Sequence, residues 1–450
     1  MKNCAIILPV ETKSREFHGK LLLALHLLRL GHPVLLGEQG RLWDICDLVG
    51  PAIYFDKSVA ATRVEWFGRC RGMGHEVVSW DEEGLVFFDS WLYRKQRIAP
   101  EALSQVSKFF AWGEVQRDAI CEEYPQFAEK IHLCGNPRFD LLRPEMRDFY
   151  TPVVEKLRHR FGQMLLINTN FAFYNHYKPQ DEVCQLLARY PIANEPGYME
   201  KWIAMHREMH QAYLCMVPEL LQRYPNHTVV LRPHPSESHA PWVEVAKHHP
   251  RLHVDASGNV HEWILASEAI VHFNCTTAVE SFLLDVPAVA FRPVRYQNYE
   301  NYLPNALSVN AFSIPELFSA LDARLQMREK GMLWTKEQYE EAGRYIACLT
   351  EELSAEKVAR LVDQLSGTLR QSNFSPIKKS LAFAKLNWRK LLRRVRDKED
   401  DQDGYLLQKF PGITAAELSE TLQRLMAAKK IPFSVKIKPL FKNCYWLIPS

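Results

Sequence analysis

Apolar residues along this chain come in two rhythms. Short runs rich in β-branched and aliphatic residues alternate with longer stretches whose apolar positions recur every third or fourth residue, the pattern of buried strands alternating with helices. The first 150 residues predict strands at Cys4–Leu8, Pro33–Leu36, Ala52–Phe55, Glu76–Ser79, Lys108–Trp112 and Lys130–Cys134, with a long helix at Phe17–Leu30. Gly135, Asn136 and Pro137 close this series. A second series predicts strands at Met164–Asn168, Thr228–Leu231, Leu252–Val254, Ala269–Val271 and Ala288–Phe291, a helix over Gly197–Arg223 and a helical end at Trp334–Gly367. Strands that alternate with helices imply βαβ units and parallel sheets. The expected architecture is α/β, with two doubly wound domains over residues 1–150 and 151–370 and a helical, basic extension over 371–450.

Composition agrees with a large two-domain chain. Its 450 residues exceed what one core usually serves, and 47% of them are hydrophobic. A net charge of +3 is too small to make nucleic acid a global partner. The ten cysteines include no CxxC pair, which excludes a sequence-readable zinc ribbon and points to reduced thiols in a cytoplasmic protein. Met1–Val10 and Leu21–Leu30 are too short or too interrupted, by His26 and Arg29 in the second case, for a signal peptide or a spanning helix.

From residue 378 to 398 lysines and arginines interleave with Leu381, Phe383, Leu386, Trp388, Leu391, Leu392 and Val395. Such a basic amphipathic helix either lies on an anionic membrane surface, making the protein peripheral on the inner face of the inner membrane, or packs on the body with a solvated basic face. The acidic stretch Lys398–Asp403 reads as a flexible break, and its Asp401 and Asp403 as solvated rather than metal-binding. His206 and His210 stand one turn apart, but Glu208 does not follow the first histidine, so the zinc protease pattern fails and no metal is expected.

Chemistry concentrates at strand ends. Thr228–Leu231 delivers Arg232, His234 and Ser236 to the carboxyl edge of a sheet, where open α/β folds bind ligands. The strand beginning at Ala269 leads into Asn274, Cys275, Thr276 and Thr277 and then a helical pattern, a turn suited to phosphate, with Glu280 placed either to cap that helix or to accept hydrogen bonds from ribose hydroxyls. The bland reading of the same turn is ordinary capping. Asn168 ends the second domain's first strand, as a ligand contact or as a satisfied turn asparagine. After the first strand, Glu11 is a candidate general acid or base, with Lys13 and Arg15 as anion contacts; the competing reading is a capped helix start. Asp81, Glu82 and Glu83 follow another strand, and at least one of them can be forced inward with a shifted pKa. No GxGxxG motif supports a dinucleotide cofactor.

These residues carry a resemblance. The strings PVETKSREF, YFDKS, DEEGLV, FAWGE, GNPRFDLL, INTNF, RPHPSE and NCTTAVESFLLDVP, spanning roughly residues 5–295, resemble the bacterial surface carbohydrate biosynthesis protein family, similar to the retaining β-Kdo transferases of capsule and O-antigen assembly. The resemblance implies a GT-B-like fold, two Rossmann-like domains facing a central cleft, and a CMP-activated ulosonic acid as donor to a glycan or glycolipid acceptor, without metal or other cofactor. It implies that His234 and the Asn274–Thr277 turn bind the CMP phosphate, that Glu280 binds ribose or base, and that Glu11 is the acid/base. The nucleophile falls among Asp81 to Glu83, with Glu83 standing before Gly84 where the family more usually has aspartate. Lys13, Arg15 or Lys57 would neutralise the sugar's carboxylate. Rival readings are a CDP-glycerol-type polyol phosphate transferase, a UDP-sugar epimerase, and a non-catalytic assembly protein recruited by the basic helix.

Overall fold

All eleven predicted strands form, with ends within two residues of the apolar runs that announced them. The computed structural model describes residues 4–188, 195–296, 299–329, 331, 333–367, 369 and 409–450. The described residues divide into two compact units, one drawn from 1–85, 97–141 and 344–450, the other from 86–96 and 142–343.

The first unit holds β1 (Ala5–Val10), β2 (Val34–Glu38), β3 (Ala52–Asp56), β4 (Glu76–Trp80), β5 (Lys108–Ala111) and β6 (Ile131–Leu133), all parallel. Their order begins β2-β1-β3 and continues through β4, β5 and β6. The long helix Lys13–Arg29 lies against this sheet with Phe17, Leu21, Leu22, Leu25 and Leu28 buried; each such side chain contributes about 1.5–3 kcal/mol by leaving water. The second unit holds β7 (Met164–Asn168), β8 (Thr228–Arg232), β9 (Leu252–Val254), β10 (Ala269–His272), β11 (Ala288–Phe291) and β12 (Val309–Ala311), again all parallel, in the order β12-β11-β10-β7-β8-β9. Leu165, Ile167, Val229, Leu231 and Val271 pack on Met205, Met209, Tyr213 and Leu220 of the helix Tyr198–Arg223.

The expected domain boundaries move. Residues 142–150 join the second unit, where the Tyr150 hydroxyl meets His261 Nδ1 at 2.9 Å. Residues 344–367 join the first, because buried Asp140 accepts from the Ser354 and Ala355 N–H groups, 2.8 Å each, and so fixes the start of the helix Ser354–Ser366.

Of the extension over 371–450, the described residues 409–450 are not all helical. Its described part contains the helix Ala415–Ala428 and a hairpin of β13 (Val435–Phe441) and β14 (Cys444–Pro449). β14 pairs antiparallel with β2, so the first sheet gains two strands. Gly37 makes that approach possible, since a Cβ there would lie 2.5 Å from the Asn443 carbonyl oxygen. The basic segment 378–398, the acidic stretch 398–403 and the Asp401/Asp403 pair lie outside the described residues. Among the described residues no helix is long and apolar enough to cross a membrane.

Candidate functional site

In the first unit the chain leaves β1 for β2 on one side and reaches β3 on the other. Where strand order reverses in this way, connections diverge and a crevice opens at the carboxyl ends. Glu11 stands one residue past β1 and Lys57 one residue past β3. The Lys57 ammonium donates to Glu11 Oε2, and Lys409 Nζ lies 3.7 Å from the other carboxylate oxygen. Burial raises the Glu11 pKa, but Lys57 and then Lys409 more than offset it and hold the carboxyl below its ordinary value. An acid held ionised suits a general base better than a general acid. A small cavity beside this pair is lined by Lys20, Gln39, Tyr54, Asp56, Lys57 and Trp80.

The helix start after Glu11 is indeed capped, by Glu16. Its two oxygens accept from the Glu11 and Thr12 N–H groups, 3.0 Å each, and one also receives Lys20 Nζ at 2.7 Å. Burial would raise this carboxyl, yet Lys20 and Arg15 pull it from 4.5 to about 2. Lys13 does not join Glu11. Its ammonium donates to the Gly412 carbonyl at 2.5 Å and to Glu417 at 2.7 Å, so it anchors the C-terminal helix rather than presenting a charge to a ligand. Arg15 lies 3.6 Å from Glu16 and 3.8 Å from Glu83.

The three consecutive acids separate sharply. Asp81 is fully buried and gripped by Arg97, whose Nε donates at 3.2 Å and whose Nη2 donates to the other oxygen. Glu82 is buried too and accepts from Trp80 Nε1 at 2.7 Å. Glu83 has a side chain 55% exposed, with Arg97 at 3.0 Å and Arg15 at 3.8 Å. Burial of its surroundings raises the Glu83 carboxyl, and Arg97 and Arg15 outweigh that effect to keep it below normal. Thus two acids face inward on structural partners and one faces out as an ionised carboxylate.

In the second unit the order reverses between β7 and β10, the strand-end pair that carries Asn168 and His272 at one register. Asn168 is buried, and its Nδ2 has no hydrogen-bond partner among the described residues. Arg232, its partner across to β8, is engaged by the loop after β9. Its guanidinium donates to the Ser257 and Asp255 carbonyls at 2.7 and 3.0 Å and lies over Trp263 at 5.0 Å. Burial lowers its pKa to about 10, still charged at neutral pH. His234 is exposed, and its Nδ1 accepts from the Ser236 N–H at 3.2 Å. The Ser236 carbonyl accepts from Tyr177 N at 3.1 Å, which ties this loop to the segment after β7.

Asn274 adopts φ +52 and spends its amide on the backbone, donating to the Tyr299 carbonyl at 2.9 Å and accepting from Asn301 N at 2.5 Å. Thr276 precedes the helix Thr277–Leu283, which is seven residues long, and makes no side-chain capping bond. The Thr277 hydroxyl is buried just beyond it. Glu280 is buried with Oε1 3.5 Å from His261 Nε2.

Four residues escaped the pattern-based search. Glu237 lies inside RPHPSE and accepts with one oxygen from the Thr169 hydroxyl (2.8 Å), Phe171 N (2.8 Å) and His234 N (3.1 Å), knitting the loops after β7 and β8 together. Burial raises its carboxyl above the usual range despite those bonds. Arg97 and His261 sit in helices with no local signal of their role, and Lys409 is separated from Glu11 by nearly the whole sequence. His206 and His210 are core residues among Phe171, Phe273 and Trp242, and burial lowers them to about 3 and about 4, so both are neutral. All ten cysteines are free thiols, and no group of three potential ligands suited to a metal occurs among the described residues.

No protein-family model matches the chain, and no curated protein sequence is similar to it. Solved structures with a related backbone include the UDP-GlcNAc 2-epimerase of Methanocaldococcus jannaschii, 13% identical over 80% of this chain and 99% of that one, with a TM-score of 0.48. The wall teichoic acid polymerase TagF is 8% identical over 82% of this chain and 89% of that one, TM-score 0.48. The UDP-GlcNAc 2-epimerase of Neisseria meningitidis bound to UDP-GlcNAc is 11% identical over 81% and 100%, TM-score 0.48. At such identities the likeness is one of backbone course alone.

Proposed function

We propose that the chain is a glycosyltransferase of bacterial surface polysaccharide biosynthesis, transferring an ulosonic acid from a CMP-activated donor to a glycan acceptor with retention. The observation that carries this reading is the division of labour among the strand-end acids. Asp81 and Glu82 are committed to Arg97 and Trp80, whereas Glu83 and Glu11 are ionised and less enclosed. A retaining transfer by double displacement needs two such carboxylates. Glu83 attacks the anomeric carbon, and the bond to the CMP oxygen breaks with its electron pair leaving on the phosphate. Glu11 then takes the proton of an acceptor hydroxyl, which displaces Glu83 from the sugar and restores the starting configuration. Lys57, Lys409 and Arg15 are the cations beside these acids that would face the donor's own carboxylate. In the second unit, Asn168, the His234–Ser236 loop and Glu280 supply the nucleotide contacts of this reading.

The test is thermal stabilisation by CMP against UMP, UDP, GDP and CDP at matched concentrations. At one hundred times the dissociation constant the favoured nucleotide adds about 2.7 kcal/mol. Preference for CMP, followed by turnover of CMP-Kdo that is lost in Glu83→Gln and Glu11→Gln, supports the proposal. Preference for UDP or CDP overturns it in favour of an epimerase or a polyol phosphate transferase, and normal turnover in Glu83→Gln overturns the assignment of the nucleophile.

A further inference from the structure

Glu280 is placed by a chain of buried side chains within the second unit. Tyr150 is fully buried, and its ring meets that of His261 edge to face at 5.8 Å between centroids. The Tyr150 hydroxyl stands 2.9 Å from His261 Nδ1, and on the far side of the imidazole Nε2 stands 3.5 Å from Glu280 Oε1. A phenol hydroxyl that donates to Nδ1 leaves the ring proton on Nε2, where it faces the carboxylate. The imidazole itself is fixed at its root. His261 opens the helix Val260–Ala266, and its N–H donates to the Asn259 side chain at 2.9 Å within a capping box completed by Glu262.

Glu280 stands one turn inside the helix Thr277–Leu283, whose N-cap residue Thr276 makes no side-chain capping bond. A carboxylate, a tautomer-fixed imidazole and a phenol aligned in one row resemble the way functional carboxylates are oriented by supporting groups. Glu280 follows β10, whose carboxyl end flanks the point of strand reversal where a nucleotide would sit.

We infer that His261, held by Tyr150, is a positioning residue for Glu280, and that this row makes the second unit prefer a ribonucleotide over its 2′-deoxy counterpart. The inference rests on the nucleotide-binding reading above. A carboxylate accepts hydrogen bonds from both ribose hydroxyls only when its oxygens are turned toward them, and the imidazole sets that turn. A ligand lacking the 2′-hydroxyl loses one charge-assisted bond, which the site then no longer rewards.

The experiment titrates the full chain with CMP and with 2′-deoxy-CMP by calorimetry. Wild type is expected to bind CMP about tenfold more tightly than the deoxy form, the size of one hydrogen bond to a charged group. Tyr150→Phe, which removes only the hydroxyl, lowers that ratio; His261→Ala brings it to about one or two, as does Glu280→Gln, and His261→Ala combined with Glu280→Gln lowers it no further. A purely structural role would weaken both nucleotides together and leave the ratio intact. Folding is checked by thermal melting, and Tyr150→Phe carries the test if His261→Ala does not fold. A wild-type ratio in folded Tyr150→Phe and His261→Ala overturns the inference while leaving the nucleotide site standing. Wild type that binds neither nucleotide overturns the inference and the reading beneath it together.

Discussion

The candidate-site carboxylates of the two units, all in partly dry surroundings, are held in opposite ways. In the first unit each acid is matched by a cation or lies next to one: Glu11 with Lys57 and Lys409, Glu16 with Lys20, Asp81 and Glu83 with Arg97. In the second unit Glu237 is held by a hydroxyl and two backbone N–H groups, and Glu280 faces an imidazole. The pKa directions follow. Glu11, Glu16 and Glu83 are lowered because nearby cations outweigh desolvation, Glu237 is raised because neutral dipoles do not, and Asp56 at the end of β3 is raised because its burial outweighs even Arg63 at 3.2 Å. Ion pairing keeps a carboxylate ionised, whereas a neutral frame leaves desolvation to raise it.

The contrast is sharpest at Asp81. Arg97→Ala leaves a fully buried carboxylate without its guanidinium and is expected to cost about 3–5 kcal/mol by denaturant titration, while adding Asp81→Asn recovers part of that loss. A loss no larger than that of an exposed pair would break the comparison. Glu16→Gln comes next, at about 3 kcal/mol near neutral pH, since Lys20 loses its buried partner. Because the folded-state pKa is depressed from 4.5 to about 2, the stability owed to Glu16 is present above 4.5 and lost as pH falls toward 2. The variant's unfolding free energy is therefore flatter than wild type across that window.

Glu237 has the opposite sign. Its raised carboxyl contributes fully below the ordinary glutamate value and less as pH rises through the folded value, so Glu237→Gln costs about 1–2 kcal/mol at pH 4 and less at pH 7. An equal cost at both would show that the neutral frame does not penalise the charge. The smallest effect belongs to Lys409→Ala, about 0.2–1 kcal/mol of stability for a partly exposed pair. With one cation removed the Glu11 pKa rises, so the acidic limb of kcat/KM for CMP-Kdo moves to higher pH, and Lys409→Arg keeps it in place.

Legibility differed in the same way between scaffold and site. The strands were readable because parallel strands buried on both faces are apolar runs, and no other local structure uses Ala288–Phe291 or Thr228–Leu231 so economically. β12 was missed because Asn310 at the centre of Val309–Ala311 breaks the apolar run. The hairpin of β13 and β14 was hidden under the basic character of the extension, although Val435–Ile437 alternates as an edge strand does. The loop positions of the candidate residues were legible, since Glu11, Asp81–Glu83, His234 and Asn274 all stand just past strand ends. Their partners did not show, because Arg97, His261 and Lys409 reach those loops through folding rather than through sequence proximity.

By itself the sequence determined two α/β units built on parallel strands, eleven of the fourteen described strands and the loops where polar residues collect. Periodicity encodes these, since each apolar run must be buried wherever the chain goes. Only the tertiary structure decided that Lys13 anchors Glu417 while Lys409 attends Glu11, that Arg232 braces a loop, and that Glu83 alone of three adjacent acids faces outward. Adjacent acids carry the same carboxyl group, so their fates are set by which cation or indole the fold brings within about 3 Å, and a charge's environment is a three-dimensional property.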